Sequence, residues 1–211
     1  QTLAEAARFS LQAGNLYAGL LALHQQAQLR VIQGKLSGAD ALYQRGLQIA
    51  SQAGAAESPV AGLIFCGAGE VHLERNELQE AFEQVGRGLE LGQRNQDLNV
   101  LLNGSLCMAR LELLRGNMDA ARQMLNRIEQ ILHQINLPHL LDILAARRAR
   151  LALVQGDLQT VAAWQTTCGL EPGDAPDHLR EEQYLNLAWA LLLQGDPATA
   201  EEMLVPWLAD A

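Results

Sequence analysis

Apolar residues recur along this chain at intervals of three and four, as in Leu106, Ala109 and Leu113 on one stripe and Leu125, Ile128 and Leu132 on another. That period belongs to amphipathic helices and not to alternating strands. Short polar breaks divide the pattern. A leading helix over 2–12 ends at Gly14-Asn15, and five helix pairs follow: 16–33 with 36–53, 58–75 with 78–94, 98–115 with 118–135, 138–155 with 158–168, and 178–194 with 197–209. The longest break, Cys168–Pro176, holds Gly169, Pro172, Gly173 and Asp174 and is expected to be a mobile loop.

The breaks are copies of one another. A Gly or Asn, a polar residue, an apolar residue, two variable positions and a small residue recur as Gly34–Ala39, Asn76–Ala81, Gly116–Ala121, Gly156–Val161 and Gly195–Ala200. Their starts lie 42, 40, 40 and 39 residues apart. Gly or Asn tolerates the left-handed backbone that closes a helix, and a following Asp or Asn can cap the next one. Leu36, Leu78, Met118 and Leu158 are expected to anchor each new helix, and Pro197 takes a first-turn position that accepts proline.

Small residues mark the helix crossings. Seven positions before each turn stand Ala27, Gly69, Ala109, Ala149 and Ala188, and five after it stand Ala39, Ala81, Ala121, Val161 and Ala200. Three before it come Val31, Leu73, Leu113, Leu153 and Leu192, all large. Small side chains at fixed points let helix axes approach, and large ones between them fill the grooves.

This pattern resembles the tetratricopeptide repeat, with a period longer than the usual one of about 34 residues. The longer form, seen over Ala27–Ala50, is similar to the repeat region of MalT-type regulators, large ATP-dependent activators with a LuxR-type DNA-binding domain. The resemblance implies an all-α fold, an α-solenoid forming a right-handed superhelix of about five helix pairs as one domain over 1–211. It also implies that an inducer or regulatory protein is taken in the concave groove. ATP would belong to a flanking domain, since no phosphate-loop motif occurs here, and DNA to another, since no basic helix-turn-helix is apparent. The residues match no sugar-binding set position by position.

Composition narrows the function further. Hydrophobic residues make up 49% but aromatic ones 4%, so leucine and alanine build the core, as suits helices. A net charge of −9 with a single lysine, Lys35, argues against direct nucleic-acid binding, which needs cations along phosphates. Cys66, Cys107 and Cys168 form no CxxC pair, which fits a reducing, cytoplasmic setting. No apolar run is long enough to span a membrane. The opening Gln1-Thr2-Leu3, already helical in pattern and without Met, reads as a piece of a longer protein.

No catalytic or metal site is expected. His24, His72, His133, His139 and His178 form no zinc motif, although His133 and His139 flank the Asn136–Pro138 turn. Cys66 and Cys107 fall at nearly equivalent places in successive repeats and read as small core hydrophobes. Glu181-Glu182 and Glu201-Glu202 sit at helix starts, where acidic residues favour the dipole. The candidate binding residues lie on the first helix of each pair. Gln28, Glu70, Arg110, Arg150 and Trp189 stand six positions before successive turns, and Asn103, Arg147 and Tyr184 are expected to join them along the groove. Such a wall would receive a small inducer or a protein or peptide partner. The alternative is a generic repeat adaptor unconnected with transcription.

Overall fold

The computed structural model describes residues 2–135, 139–175, 177 and 180–209, without the side chains of 133–140 and 207–209. The described residues are helical throughout, with no strand among them: α1 Thr2–Gln12, α2 Leu16–Ile32, α3 Leu36–Gln52, α4 Pro59–Glu74, α5 Leu78–Asn95, α6 Leu98–Leu114, α7 Met118–Ile135, α8 His139–Gln155, α9 Leu158–Thr167, α10 Glu181–Leu193 and α11 Pro197–Ala209. The chain forms two compact units, 1–128 and 129–211, with the border inside α7. Each is built of helix pairs.

The repeated turns share one backbone solution. Gly34, Asn76, Gly116, Gly156 and Gly195 all adopt positive φ, between 60° and 83°. After each, an N–H reaches back to the carbonyl five residues upstream: Lys35 to Arg30, Glu77 to His72, Asn117 to Glu112, Asp157 to Ala152 and Asp196 to Leu191, at 2.8–3.0 Å. This satisfies carbonyls that the helix end would otherwise leave open. The side chain of Asp157 then caps the Thr160 N–H at 3.1 Å and that of Asp196 caps Thr199 at 3.2 Å, while Lys35 and Glu77 supply no such cap.

All ten small crossing positions are buried. The reason is clearest at Gly69, where an added Cβ would lie 3.0 Å from the carbonyl oxygen of Ala81 and would strike Val85. The residue before the turn thus rests directly on the backbone of the one after it. Gly62 and Gly88 repeat this between α4 and α5: a Cβ on Gly88 would come within 2.8 Å of the Gly62 oxygen. In unit 1 the core runs through Leu20, Leu23, Tyr43, Ile64, Val71 and Leu91. In unit 2 it gathers Ala149, Trp164, Leu170, Tyr184, Leu187 and Met203.

Three expectations are corrected. Leu158 is 47% exposed, and Val161 and Trp164 anchor the short α9 instead. Leu192 is 53% exposed where Leu153, its equivalent, is buried against Ala190 of the next first helix. The break after α9 is tied down over its described part. Leu170 is buried in the unit 2 core, Asp174 accepts from the Glu171 N–H at 2.8 Å, and Arg180 donates to the Cys168 carbonyl at 2.6 Å. Pro176, His178 and the Asn136–Pro138 turn lie outside the described residues.

Candidate functional site

The first helices carry the candidate residues because their side chains are not all needed in the core. On α4, Glu70 and Glu74 stand four apart and therefore on one face. The neighbouring α6 brings Arg110 to them: its Nη2 lies 2.7 Å from Glu74 Oε1 and its Nη1 4.0 Å from Glu70 Oε1. Burial works against the Arg110 charge, but the Glu74 carboxylate, together with Cys107 and Glu70, offsets it, and the guanidinium pKa is raised. Gln28 is half-buried on α2, and the Asn103 amide donates to the Asn99 carbonyl at 2.8 Å. In unit 1 the structure thus brings Glu70 and Arg110 together and adds Glu74.

Below this face lies a buried polar layer. Among the described residues Tyr43, fully buried, has no hydrogen-bond partner for its hydroxyl, and neither does His24 for Nδ1; the two rings are 5.9 Å apart. Desolvation pushes the Tyr43 hydroxyl pKa up, with Glu70 and Cys66 adding to it, and lowers His24 to about 4. Cys66 is buried beside Cys107, and burial followed by that neighbour pushes its thiol up, so it behaves as a small hydrophobe and not as a nucleophile.

In unit 2, Arg147 on α8 pairs with Glu182 on α10 at 2.6 Å. Arg150, one turn along α8, lays its guanidinium 4.5 Å from the ring centroid of Trp189 on α10. The two helices are also tied by Asn186, whose amide donates to the Ala146 carbonyl at 2.8 Å. Tyr184 lies elsewhere. It is buried in the core with Ala149 and Leu187, its hydroxyl 3.5 Å from the Ala175 carbonyl, and presents no surface to a ligand.

Sequence reading missed Glu74 and Glu182. The signal was available as an offset. Glu74 stands two before its turn and meets Arg110, six before the next; Arg147 stands nine before its turn and meets Glu182, thirteen before the next. Oppositely charged residues that differ by four in this count lie opposite one another on successive first helices.

Glu182, one of the adjacent carboxylates at the start of α10, is held by Arg147. Among the described residues no group of three or more His, Cys, Asp or Glu could hold a metal ion. His72 is engaged with Glu77 at 2.6 Å, while the side chains of His133 and His139, and all of His178, lie outside the described residues. Among the described residues no helix is long and apolar enough to cross a membrane.

No curated protein matches the chain. The family profile described as the MalT-like TPR region matches residues 1–211. With its left-handed turns, its small residues at every crossing and its helix-only architecture, the chain belongs to the family of MalT-like TPR regions.

Proposed function

We propose that this chain is the sensing segment of a MalT-like, LuxR-family transcription activator, non-enzymatic in itself, which takes an inducer or a regulatory protein on the faces of its first helices. DNA contacts and ATP would then belong to other domains of the parent protein, and the setting would be the cytoplasm. One observation carries the reading. Polar and aromatic side chains at a fixed distance before successive turns are placed on first helices, and neighbouring helices answer them: Glu70 and Glu74 with Arg110, and Arg150 with Trp189. Guanidinium groups held this way present planar donors suited to carboxylate, phosphate or hydroxyl groups.

The complete coding sequence separates this reading from a generic adaptor. The regulator requires a phosphate-loop domain before the repeats and a helix-turn-helix after them. On the protein itself, a thermal-shift screen over oligosaccharides, small metabolites and phosphorylated compounds should find a stabilising ligand. The combined Arg110→Ala and Arg150→Ala variant should keep the parent circular dichroism spectrum, since both side chains are partly exposed and such ion-pair or cation–π contacts contribute about 1 kcal/mol or less, and should lose that ligand's shift. An unchanged shift in the variant would remove both residues from ligand recognition.

A further inference from the structure

The arginines of the first helices differ in what balances their charge. Arg110 faces Glu74 and Glu70, and Arg147 faces Glu182. Arg150 stands at the same distance before its turn as Arg110, yet among the described residues no carboxylate pairs with it. Its contact is the face of Trp189, 4.5 Å from the ring centroid. Stacking covers a face of the guanidinium and leaves the N–H donors at its edge directed away from the ring. Arg115 stacks on Phe82 in the same manner at 4.6 Å, but Phe82 belongs to a second helix, α5, and not to a first-helix face.

The Arg147–Glu182 ion pair lies one turn before Arg150, and the side one turn after it is apolar and open. Val154 follows Arg150 by one turn of α8 and is 41% exposed; Leu193 follows Trp189 by one turn of α10 and is 47% exposed. Residues four apart share a helix face, and α8 packs against α10. The result is an Arg–Trp centre bordered by two aliphatic side chains on adjacent helices. Trp and Arg are the residue types that most often dominate binding energy at protein interfaces.

Resting on the reading that first-helix faces receive a partner, we propose that the α8–α10 face of unit 2 docks a segment of a partner protein that presents a carboxylate next to large apolar side chains. The carboxylate meets the edge of Arg150, and the apolar groups cover Val154, Leu193 and the free part of Trp189. Charge complementarity selects this occupant. A small free anion would use the guanidinium and leave both aliphatic side chains wet, whereas a basic segment would oppose Arg150.

Fluorescence anisotropy with the whole chain tests this, using a short labelled peptide rich in leucine and glutamate and its analogue with lysine in place of glutamate. The glutamate peptide should bind at least about tenfold tighter than the lysine peptide, as expected for one well-placed charge pair. Arg150→Gln should weaken it by about tenfold, Leu193→Ser and Val154→Ser should each weaken it measurably, and Arg87→Gln on α5 should leave it unchanged. Equal binding of the two peptides overturns the proposal, as does unaltered affinity in a folded Arg150→Gln variant. Displacement of the peptide by free glutamate at equal concentration also overturns it and marks a small-anion site. A small-molecule thermal shift that still depends on Arg110 and Arg150 would keep the sensing role while the peptide-docking claim falls.

Discussion

The ring of Tyr43 on α3 occupies the space that a Cβ on Gly67 of α4 would need, with its Cζ and hydroxyl oxygen both well inside van der Waals contact of that point. Tyr43 is fully buried, so the ring has nowhere to retreat. Gly67→Ala would gain roughly 1 kcal/mol in helix propensity and lose about 1–3 kcal/mol to overpacking. The expected outcome is net destabilisation, read as a lower urea midpoint at an unchanged slope. A rise in the midpoint would mean that the ring is not fixed there.

Gly86 on α5 provides the contrast. Nothing lies within 4 Å of its missing Cβ, and its φ is not positive. Gly86→Ala should therefore stabilise the chain by roughly 0.5–1 kcal/mol, through helix propensity and a less flexible unfolded state. Thermal melting checks the sign.

Ala109 on α6 stands at a buried crossing position with no exposed surface. Ala109→Phe should destabilise by about 1–3 kcal/mol, since the added ring forces two helices apart. An unchanged melting curve would contradict the crossing register.

His24 makes stability depend on pH. Desolvation lowers its folded pKa from 6.5 to about 4, so the folded state holds it neutral while the unfolded chain takes up a proton below 6.5. Its contribution is complete above pH 6.5 and drains away as pH falls towards 4, by about 3 kcal/mol in all. Replacing His24 by Leu should flatten the decline in melting temperature between pH 7 and pH 5, where most carboxylates are still ionised. A variant that declines as steeply as the parent would place the titration elsewhere.

How far the sequence revealed the molecule depends on which interactions are local. The turns were legible because Gly34, Asn76, Gly116, Gly156 and Gly195 answer a backbone need, positive φ, that few other residues meet. The crossings were legible because Ala27, Gly69, Ala109, Ala149 and Ala188 are small for a steric reason that recurs in every pair. Leu158 and Leu192 were misjudged because hydrophobicity marks what can be buried and not what a neighbour covers. In the candidate site the position count identified Glu70, Arg110, Arg150 and Trp189 as residues on first helices, but said nothing of Glu74 and Glu182, whose part depends on the next repeat. Tyr184 was assigned to the groove by its polar group, and its buried ring shows that packing claimed it.

Each turn is closed by its own main chain, and each crossing is secured by a small buried residue. The scaffold therefore asks almost nothing of positions such as Gln28, Arg150 or Leu193. Substitution there can accumulate with little penalty to folding, so descendants of one such array can carry quite different surface chemistry while their carbon skeletons stay superimposable.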